Sequence, residues 1–373
     1  MHIEPFGVEI WMNAHETRCR VNLAETCVSA MTMAELLTLT GRNADVLSEL
    51  METPLSYGAI AGSARLRRAI AALYEGHDLE DVLVTHGTIG ANDLAWRALV
   101  GPGDHVVSLV PTYQQHVSIP ESLGAEVSRL ELMPEDAYLP DLDALRALLR
   151  PDTKVVAFTN PNNPTGSLMP DSLLREIVAM AESVGATILA DEVYRGTAQT
   201  GDGGSLSAAE VSPAVVATAG MSKAFSLAGL RLGWIVGPAW LRDAAERHRD
   251  YTTISVGMVD DHLAALALEH ADRILDRSRR ITRKNLAILT EWVDAEPGIS
   301  WVRPKAGTTA LLHYDLEIGS EDLCRALLAE TGILLTPGGV MGAEGSLRIG
   351  FANRTEDLRE GLPQLSAFLR GRR

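Results

Sequence analysis

The stretch SKAFSLAGLRLGW, residues 222–234, carries the most specific pattern in the chain. Lys223 follows Ser222, and Arg231 comes eight residues later, at the start of the apolar run RLGWIVG. A lysine that acts as a nucleophile needs a partly desolvated pocket, because burial makes its neutral form accessible. A nearby arginine can bind a phosphate dianion through two parallel hydrogen bonds. The pattern therefore predicts a reactive amine beside an anion site; the alternative is an isolated surface lysine.

Two further motifs come directly after apolar, strand-like runs. NPNNPTG (160–166) follows KVVAFT, and DEVY (191–194) follows TILA. The Asn-Pro steps and the glycine predict a sharp turn, and ligands of open α/β sheets bind at the carboxyl ends of strands. A carboxylate that ends a buried strand is costly unless it is paired. Asp191 could pair with a protonated pyridine nitrogen and keep that ring a good electron sink.

Strand-like and helical runs alternate from about residue 60 onward. Helices are predicted at 63–76, 91–100 and 171–185, and apolar strands in DVLVTHG, DHVVSLVPTY, KVVAFTN, TILADEVY, AVVATAG and RLGWIVG. Such strands, separated by helices, are typical of a mostly parallel sheet covered on both faces. RLGWIVG follows AVVATAG too closely for an intervening helix, which favours one antiparallel strand. A charge-dense helical stretch at about 260–292 and the strand-like runs after it predict a smaller α+β lobe.

Composition narrows the class of protein. The 373 residues are 46% hydrophobic, and 33 Lys plus Arg against 49 Asp plus Glu give a net charge of −16. This acidic balance disfavours nucleic acid or an anionic membrane as a partner. Cys19, Cys27 and Cys324 lack metal-ligand spacing, so no metal is expected and the thiols fit a reducing compartment. Because the chain has neither a secretory signal pattern nor a long apolar stretch, we expect a cytoplasmic protein.

The motifs THGTIG, PTY, NPNNPTG, DEVY, SKAFSLAGLRLGW and SLRIGFA occur in an order that resembles the class I/II aminotransferases of pyridoxal 5′-phosphate (PLP) fold type I. The resemblance covers roughly residues 50–355. It implies a large PLP-binding α/β domain at 46–275, with a mostly parallel seven-stranded sheet covered by helices. A smaller α+β domain is expected at 276–373, and an N-terminal segment, 1–45, is expected to pack on the cleft or on the small domain.

The resemblance also implies roles for the motif residues. Lys223 is expected to hold PLP as a Schiff base and to move the proton at the substrate Cα, and Asp191 to pair with the pyridine nitrogen. Tyr194 and Asn163 are expected to hydrogen-bond the phenolic oxygen of the cofactor, and Lys223, Asp191 and Tyr194 form the implied catalytic set. The full set of implied cofactor contacts is Gly87, Thr88, Ile89, Tyr113, Asn163, Asp191, Tyr194, Ser222, Lys223, Arg231 and Tyr57.

Within that set, Gly87 and Thr88 would begin a helix whose free N–H groups suit a phosphate, and Tyr113 would stack on the ring. Tyr57 matches a tyrosine that reaches the phosphate of a neighbouring subunit, which implies a homodimer with shared active sites. A core aromatic residue and a helix cap are the alternatives for Tyr57 and Thr88. Arg348, in SLRIGFA, is expected to bind the substrate α-carboxylate together with Asn163.

The chain departs from the family pattern at two places. The family often has Ser or Thr three residues before the lysine, where this chain has Gly220, so one phosphate hydroxyl is expected to be missing. Where relatives commonly have a glycine-containing stretch that contacts the substrate, this chain reads NLAETC (22–27).

The reaction stays open at this stage. Transfer of an amino group between an L-amino acid and a 2-oxo acid is the family default. Glu9, Glu25, Thr26 and His116 could instead shape a pocket for a cationic, arginine-like side chain, or they could be surface acids and a structural histidine. The chain is also similar to enzymes such as capreomycidine synthase, which eliminate a substituent and cyclise an arginine derivative. An arginine oxidase is a third enzymatic alternative. A PLP-binding regulator without catalysis is disfavoured, because no DNA-binding module precedes the domain.

Overall fold

The computed structural model describes residues 2–42 and 44–373. Its helices are α1 Gly7–His15, α2 Met33–Thr40, α3 Ala44–Glu52, α4 Ala64–Ala71, α5 Gly87–Leu99, α6 Gln115–Ser122, α7 Leu142–Leu148, α8 Asp171–Ser183, α9 Ala239–Arg249, α10 Met258–Leu268, α11 Ala271–Ala295, α12 Ser320–Thr331 and α13 Thr355–Arg370. Its strands are β1 Val21–Asn22, β2 Val82–Thr85, β3 His105–Val110, β4 Glu126–Glu131, β5 Thr153–Thr159, β6 Thr187–Asp191, β7 Val216–Gly220, β8 Gly233–Val236, β9 Ile299–Ser300, β10 Thr309–Tyr314, β11 Ile333–Leu334, β12 Thr336–Pro337 and β13 Ser346–Gly350.

A seven-stranded sheet with the order β2-β8-β7-β6-β5-β3-β4 forms the centre of the molecule. The five strands from β7 to β4 are parallel, whereas β8 is antiparallel to both of its neighbours. The prediction of a mostly parallel α/β sheet is therefore confirmed, and so is the antiparallel strand RLGWIVG. The predictions did not include the edge strand β4, in which all residues except Leu130 are exposed or half-buried.

The two faces of this sheet are both buried, because successive side chains of a strand point in opposite directions. In β5, Val155 packs in one apolar cluster with α5 and α9, while Val156 and Phe158 pack on the other side with α4 and α8. Strands buried on both faces cannot alternate with polar residues. The apolar runs in the sequence have this physical origin.

A second group of elements has its own apolar core. The antiparallel sheet β12-β13-β10-β9 packs with α11, α12 and α13, and Trp11 and Leu23 from the N-terminal segment belong to the same cluster. Strand β1 pairs in parallel with β11. The N-terminal segment is thus held against this second core, although the domain boundaries given above remain predictions. Throughout the described ranges, no helix is long and apolar enough to cross a membrane.

Candidate active site

A cavity of about 280 Å³ lies where the carboxyl ends of β5, β6 and β7 face the start of α5. Residues from distant motifs line it together with residues of the N-terminal segment. Those predicted from the sequence are Glu9, Glu25, Thr26, Thr88, Ile89, Tyr113, Asn163, Asp191, Tyr194, Ser222, Lys223, Arg231 and Arg348. The fold therefore brings most of the predicted site residues together.

The amine of Lys223 faces the N-terminal segment. Its Nζ donates a hydrogen bond to Thr26 Oγ1 at 2.6 Å and lies 3.4 Å from Cys27 Sγ. Burial pulls the pKa of Lys223 down, but Cys27, Tyr194 and Glu25 outweigh it, so the pKa lies above its ordinary value. The free chain therefore holds this amine as an ammonium ion at neutral pH.

Glu25 is the carboxylate that complements this ammonium. Burial raises the pKa of Glu25, but the charge of Lys223 and the N–H of Cys27, which donates to Glu25 Oε1 at 2.7 Å, leave the pKa below its ordinary value. Glu25 is thus an ionised, half-buried acid at the cavity wall. The sequence NLAETC places it there instead of a small residue.

Asp191 ends β6 and is almost fully buried, with 3% of its surface exposed. Its Oδ1 accepts a hydrogen bond from the N–H of Val193 at 3.1 Å, and its Oδ2 accepts one from Asn92 Nδ2 at 2.9 Å. Asn92 also lines the cavity. Sequence reasoning missed Asn92; its spacing of four residues from Thr88 along α5, which puts both side chains on one helical face, was the available signal.

Two tyrosines from different elements line the cavity. Burial raises the pKa of Tyr194, despite the opposing charges of Lys223 and Arg348. Tyr113 donates its hydroxyl hydrogen to Glu9 Oε1 at 2.7 Å, and burial together with this carboxylate raises the pKa of Tyr113. Both phenols are therefore protonated at neutral pH. The hydroxyl hydrogen of Tyr113 is taken by Glu9, whereas that of Tyr194 is available to a ligand.

Arg348 provides a buried guanidinium on the cavity wall, with 3% of its surface exposed. It donates to Asn163 Oδ1 at 3.3 Å and to Thr336 Oγ1 at 3.1 Å. Its Nε has no hydrogen-bond partner among the residues described. A buried guanidinium with a free donor is suited to a carboxylate, which accepts two parallel hydrogen bonds.

The start of α5 forms a cradle built from small residues. Gly87 begins the helix with φ +66°, and a Cβ atom on Gly233 would lie 2.3 Å from the carbonyl carbon of Gly87. Thr88 Oγ1 is buried there and has no hydrogen-bond partner in the described part of the chain. A Cβ atom on Gly220 would lie 2.5 Å from this oxygen. The glycine that departs from the family pattern thus makes room for the Thr88 side chain.

Three predicted residues do not line this cavity. Gly87 lies just behind the wall, where a Cβ atom would approach Arg231 Nη2 to 3.1 Å. Tyr57 lies on the surface with 78% of its area exposed. For His116 the sequence left two alternatives, a substrate contact and a structural histidine, and its position behind the cavity wall favours the structural one. The first turn of α6 directs its ring inward, against Trp96 and to 3.5 Å from Asp191 Oδ2, and it is fully buried.

Helix α1 supplies a wall that the sequence analysis only partly anticipated. Val8, Glu9, Met12 and Glu16 line the cavity from successive turns of α1 and its end. Met12 lies three residues after Glu9 and four after Val8, and Glu16 lies four after Met12, which places them along one helical face. The sequence analysis singled out only Glu9 in this helix, so Val8, Met12 and Glu16 were missed. No group of three or more His, Cys, Asp and Glu side chains within 2–42 and 44–373 could hold a metal ion.

Comparison with known proteins assigns this fold and cavity to a family. The family model described as aminotransferase class I and II matches residues 30–363. The chain belongs to this family. Aminotransferases of this family are PLP-dependent, and PLP is the cofactor that the family and the structural relatives imply.

Individual relatives of this class I and II aminotransferase chain have several activities. The chain is 42% identical to a PLP-dependent aminotransferase from Streptococcus suis, with TM-score 0.96 and coverage of 100% of this chain and 99% of the other. It is 31% identical to the PLP-dependent cyclase OrfR, with TM-score 0.93 and the same coverage. In sequence it is 33% identical to capreomycidine synthase of Streptomyces vinaceus, over 98% of this chain and 95% of that protein. It is 27% identical to aspartate/prephenate aminotransferase of Thermus thermophilus, over 86% and 85%.

The residues of this aminotransferase-family cavity fit PLP. The unpartnered hydroxyl of Thr88, the glycine-lined start of α5 and the guanidinium of Arg231 could hold a phosphate. The buried carboxylate of Asp191 could face a pyridinium, and the amine of Lys223 lies in the same cavity. The cavity thus offers an anion site, an acid and an amine, which are the three groups that PLP requires.

Proposed function

We propose that this chain is a PLP-dependent aminotransferase that moves the amino group between an L-amino acid with a basic, arginine-like side chain and a 2-oxo acid. The observation that carries the proposal is the charge of the cavity wall. Three carboxylates of the N-terminal segment, Glu9, Glu16 and Glu25, line the same cavity as Lys223 and Arg348.

The residues around the start of α5 would hold the phosphate of the cofactor. The hydroxyls of Thr88 and Ser222, the free N–H groups at the start of α5 and the Arg231 guanidinium would hold the phosphate. Asp191 would pair with the ring nitrogen, and Tyr113 would pack on the ring. When bound, PLP acts as an electron sink that stabilises negative charge at the substrate Cα.

The chain's own residues then direct the reaction at Cα. Lys223 is placed to take the Cα proton once its amine is neutral, and Thr26 holds that amine through the 2.6 Å hydrogen bond. Tyr194 and Asn163, which both line the cavity, would donate to the phenolic oxygen. Arg348 would bind the α-carboxylate as a fork, which fixes the Cα–H bond relative to Lys223.

The carboxylates of the N-terminal segment would select the side chain of the substrate. In the substrate complex, Arg231 and Arg348 would be paired with the phosphate and the α-carboxylate, and Lys223 would be a neutral amine. The carboxylates of the N-terminal segment would then lack a cationic neighbour. A half-buried acid such as Glu25 is destabilised when its positive partner is removed. A guanidinium or ammonium group on the substrate would supply that partner, whereas an acidic side chain would be repelled.

The experiment is a substrate panel with matched variants. The holoenzyme is incubated with L-arginine, L-lysine, L-aspartate and L-valine, each with pyruvate or 2-oxoglutarate. We expect the highest kcat/KM for a basic amino acid, and Glu25→Gln should lower that value by roughly tenfold or more, because it removes a charge-assisted hydrogen bond. Glu176→Gln, on the exposed face of α8, is the control of equal chemistry. A preference for aspartate, or an unchanged profile in Glu25→Gln, would contradict the proposal.

Elimination and cyclisation of an arginine derivative is the second candidate. The alignment with capreomycidine synthase spans 98% of this chain, whereas the alignment with the Thermus thermophilus aminotransferase spans 86%. The structural match to the cyclase OrfR covers the whole chain, including the segment that carries Glu9 and Glu25, and so does the match to the Streptococcus suis aminotransferase. Product formed from a hydroxylated arginine without any oxo acid would favour this candidate. A strict requirement for the oxo acid would favour aminotransfer.

A homodimer with shared active sites belongs to the same proposal. Tyr57 lies in an exposed apolar stretch that also contains Leu47, Met51, Leu55 and Ile60. Exposed patches of this kind are typical of protein–protein interfaces. Light scattering should give twice the monomer mass, and Tyr57→Phe should weaken PLP binding without changing that mass. A monomer with full activity would contradict the dimer.

We also propose a reducing, cytoplasmic location. Cys19, Cys27 and Cys324 are all free thiols, and none of them pairs with another. Free thiols persist where glutathione keeps cysteines reduced. Fractionation of the source cells would test this.

A further inference from the structure

Asn92 connects three structural elements at the carboxylate of Asp191. It lies on α5, it donates to Asp191 Oδ2 on β6 at 2.9 Å, and its Oδ1 accepts a hydrogen bond from Thr218 Oγ1 on β7 at 2.6 Å. A third, longer contact joins Asn92 Nδ2 to Gln115 Oε1 at 3.3 Å. We propose that Asn92, oriented by Thr218, is a positioning residue that holds the Asp191 carboxylate in the plane needed to pair with a cofactor ring nitrogen. This inference rests on the proposed function only in requiring that PLP binds in this cavity.

The orientation of the Asn92 amide follows from its neighbours. Asp191 Oδ2 and Gln115 Oε1 both accept hydrogen bonds from the same side of the Asn92 amide, so the NH₂ group faces Asp191. The amide oxygen then points to the Thr218 hydroxyl, which can donate. Thr218 is the register partner of Asp191 across β6 and β7, so the sheet itself fixes the distance between these two side chains. Asn92 is 1% exposed and Thr218 is fully buried, so water does not compete for these bonds.

The carboxylate of Asp191 is held at both oxygens by this arrangement. Its Oδ1 accepts the N–H of Val193, and its Oδ2 accepts Asn92 Nδ2. His116 Nε2 is 3.5 Å from Oδ2, which is beyond a normal hydrogen bond. Across the described ranges, Asn92 is therefore the side chain that donates a hydrogen bond of normal length to Asp191.

Loss of the hydrogen bond between Asn92 and Asp191 should weaken the pairing of Asp191 with the cofactor ring nitrogen. Without the Asn92 amide, the carboxylate is held only by a backbone N–H and is free to rotate about its Cβ–Cγ bond, and Thr218 loses its buried acceptor. A hydrogen bond to a charged group corresponds to roughly a tenfold to hundredfold change in an equilibrium constant. We therefore expect PLP to bind about ten times more weakly to the full-length Asn92→Leu apoenzyme.

The test compares two ligands on the same variants. Equilibrium dialysis gives the Kd of PLP and of its carbocyclic analogue, in which a C–H group replaces the ring nitrogen. Asn92→Leu and Thr218→Val should weaken PLP binding by about tenfold and leave the Kd of the analogue within about twofold of wild type, because the analogue has no nitrogen to pair with Asp191. Thr218→Ser keeps the donor and should restore PLP binding. If Asn92→Leu does not fold, as judged by the Tm of the apoenzyme, Thr218→Val carries the test, because it exchanges a hydroxyl for a methyl group.

The outcomes separate the two proposals. Equal loss for both ligands would show a merely structural role, and unchanged PLP binding would show no role; either result overturns the inference. If wild type does not bind PLP, the inference and the proposed function fail together. If PLP binding behaves as expected while no basic amino acid reacts, only the proposed substrate fails.

Discussion

Gly220 offers the sharpest perturbation, because the family resemblance and the structure predict opposite results. The resemblance implies Ser or Thr at this position, so on that basis Gly220→Ser would be expected to restore a phosphate ligand. In this structure a Cβ atom on residue 220 would lie 2.5 Å from Thr88 Oγ1, 2.9 Å from Leu232 O and 3.1 Å from Gly233 Cα. Two of these obstacles are backbone atoms, which cannot rotate away. The substitution is therefore expected to damage the cradle.

The expected magnitude has two parts. Overpacking a filled site costs about 1–3 kcal/mol in the free energy of unfolding. In addition, Thr88 must leave its present rotamer, and the loss of one charge-assisted hydrogen bond to the phosphate costs about 1.5–3 kcal/mol of binding free energy. Gly220→Ser should thus lower the Tm of the apoenzyme by about 1–4 °C, because the unfolding entropy of a chain of 373 residues is large. It should also raise the Kd of PLP by roughly tenfold or more.

A double variant isolates the contact. Thr88→Ala removes the nearest obstacle, so Gly220→Ser/Thr88→Ala should recover part of the lost Tm, and only part, since Leu232 O remains at 2.9 Å. Gly101→Ala is the control, because a Cβ atom there meets no atom within 4 Å. Calorimetry and PLP titration of the four proteins would complete the cycle. Tighter PLP binding by Gly220→Ser at an unchanged Tm would refute this reasoning.

Two more predictions concern the amine and the carboxylate fork. Arg348→Lys should raise KM for the amino acid by roughly tenfold or more and change kcat less, since lysine lacks the planar pair of donors; an unchanged KM would exclude the fork. The pKa of Lys223 lies above its ordinary value of 10.5, and only the neutral amine can attack an aldehyde. The rate at which PLP attaches to the apoenzyme should therefore keep rising as the pH increases from 7 to about 10. A plateau near neutral pH in stopped-flow absorbance would contradict the raised pKa.

The central sheet could be predicted because burial on both faces removes polar residues from a strand. Val155, Val156 and Phe158 belong to one strand and pack on opposite faces, and this requirement is visible as the run KVVAFT. The edge strand β4 was not predicted because most of its side chains are exposed or half-buried, so its sequence is as polar as that of a loop. The long charged stretch after residue 260 likewise hid the break between α10 and α11.

Residues of the cavity could be predicted where the chemistry restricts the residue type. They were missed where only the packing of helices and strands brings a residue to the cavity. An amine, a buried carboxylate and a guanidinium stand out in a sequence, as Lys223, Asp191 and Arg348 did. Asn92 carries no charge, and its importance arises only when α5 packs on β6 and β7. The two alternatives for His116 could not be separated from the sequence for the same reason, since the direction of its ring depends on the packing of α6 against α5.

The central claim is that Lys223 carries the cofactor in this cavity. The most direct measurement adds PLP to the full-length chain, reduces it with borohydride and maps the modified peptide by mass spectrometry. We expect a yellow protein, one phosphopyridoxyl group per chain on Lys223, and no such group in Lys223→Ala. A colourless wild-type protein, or a label distributed over surface lysines with position 223 unmodified, would contradict the account.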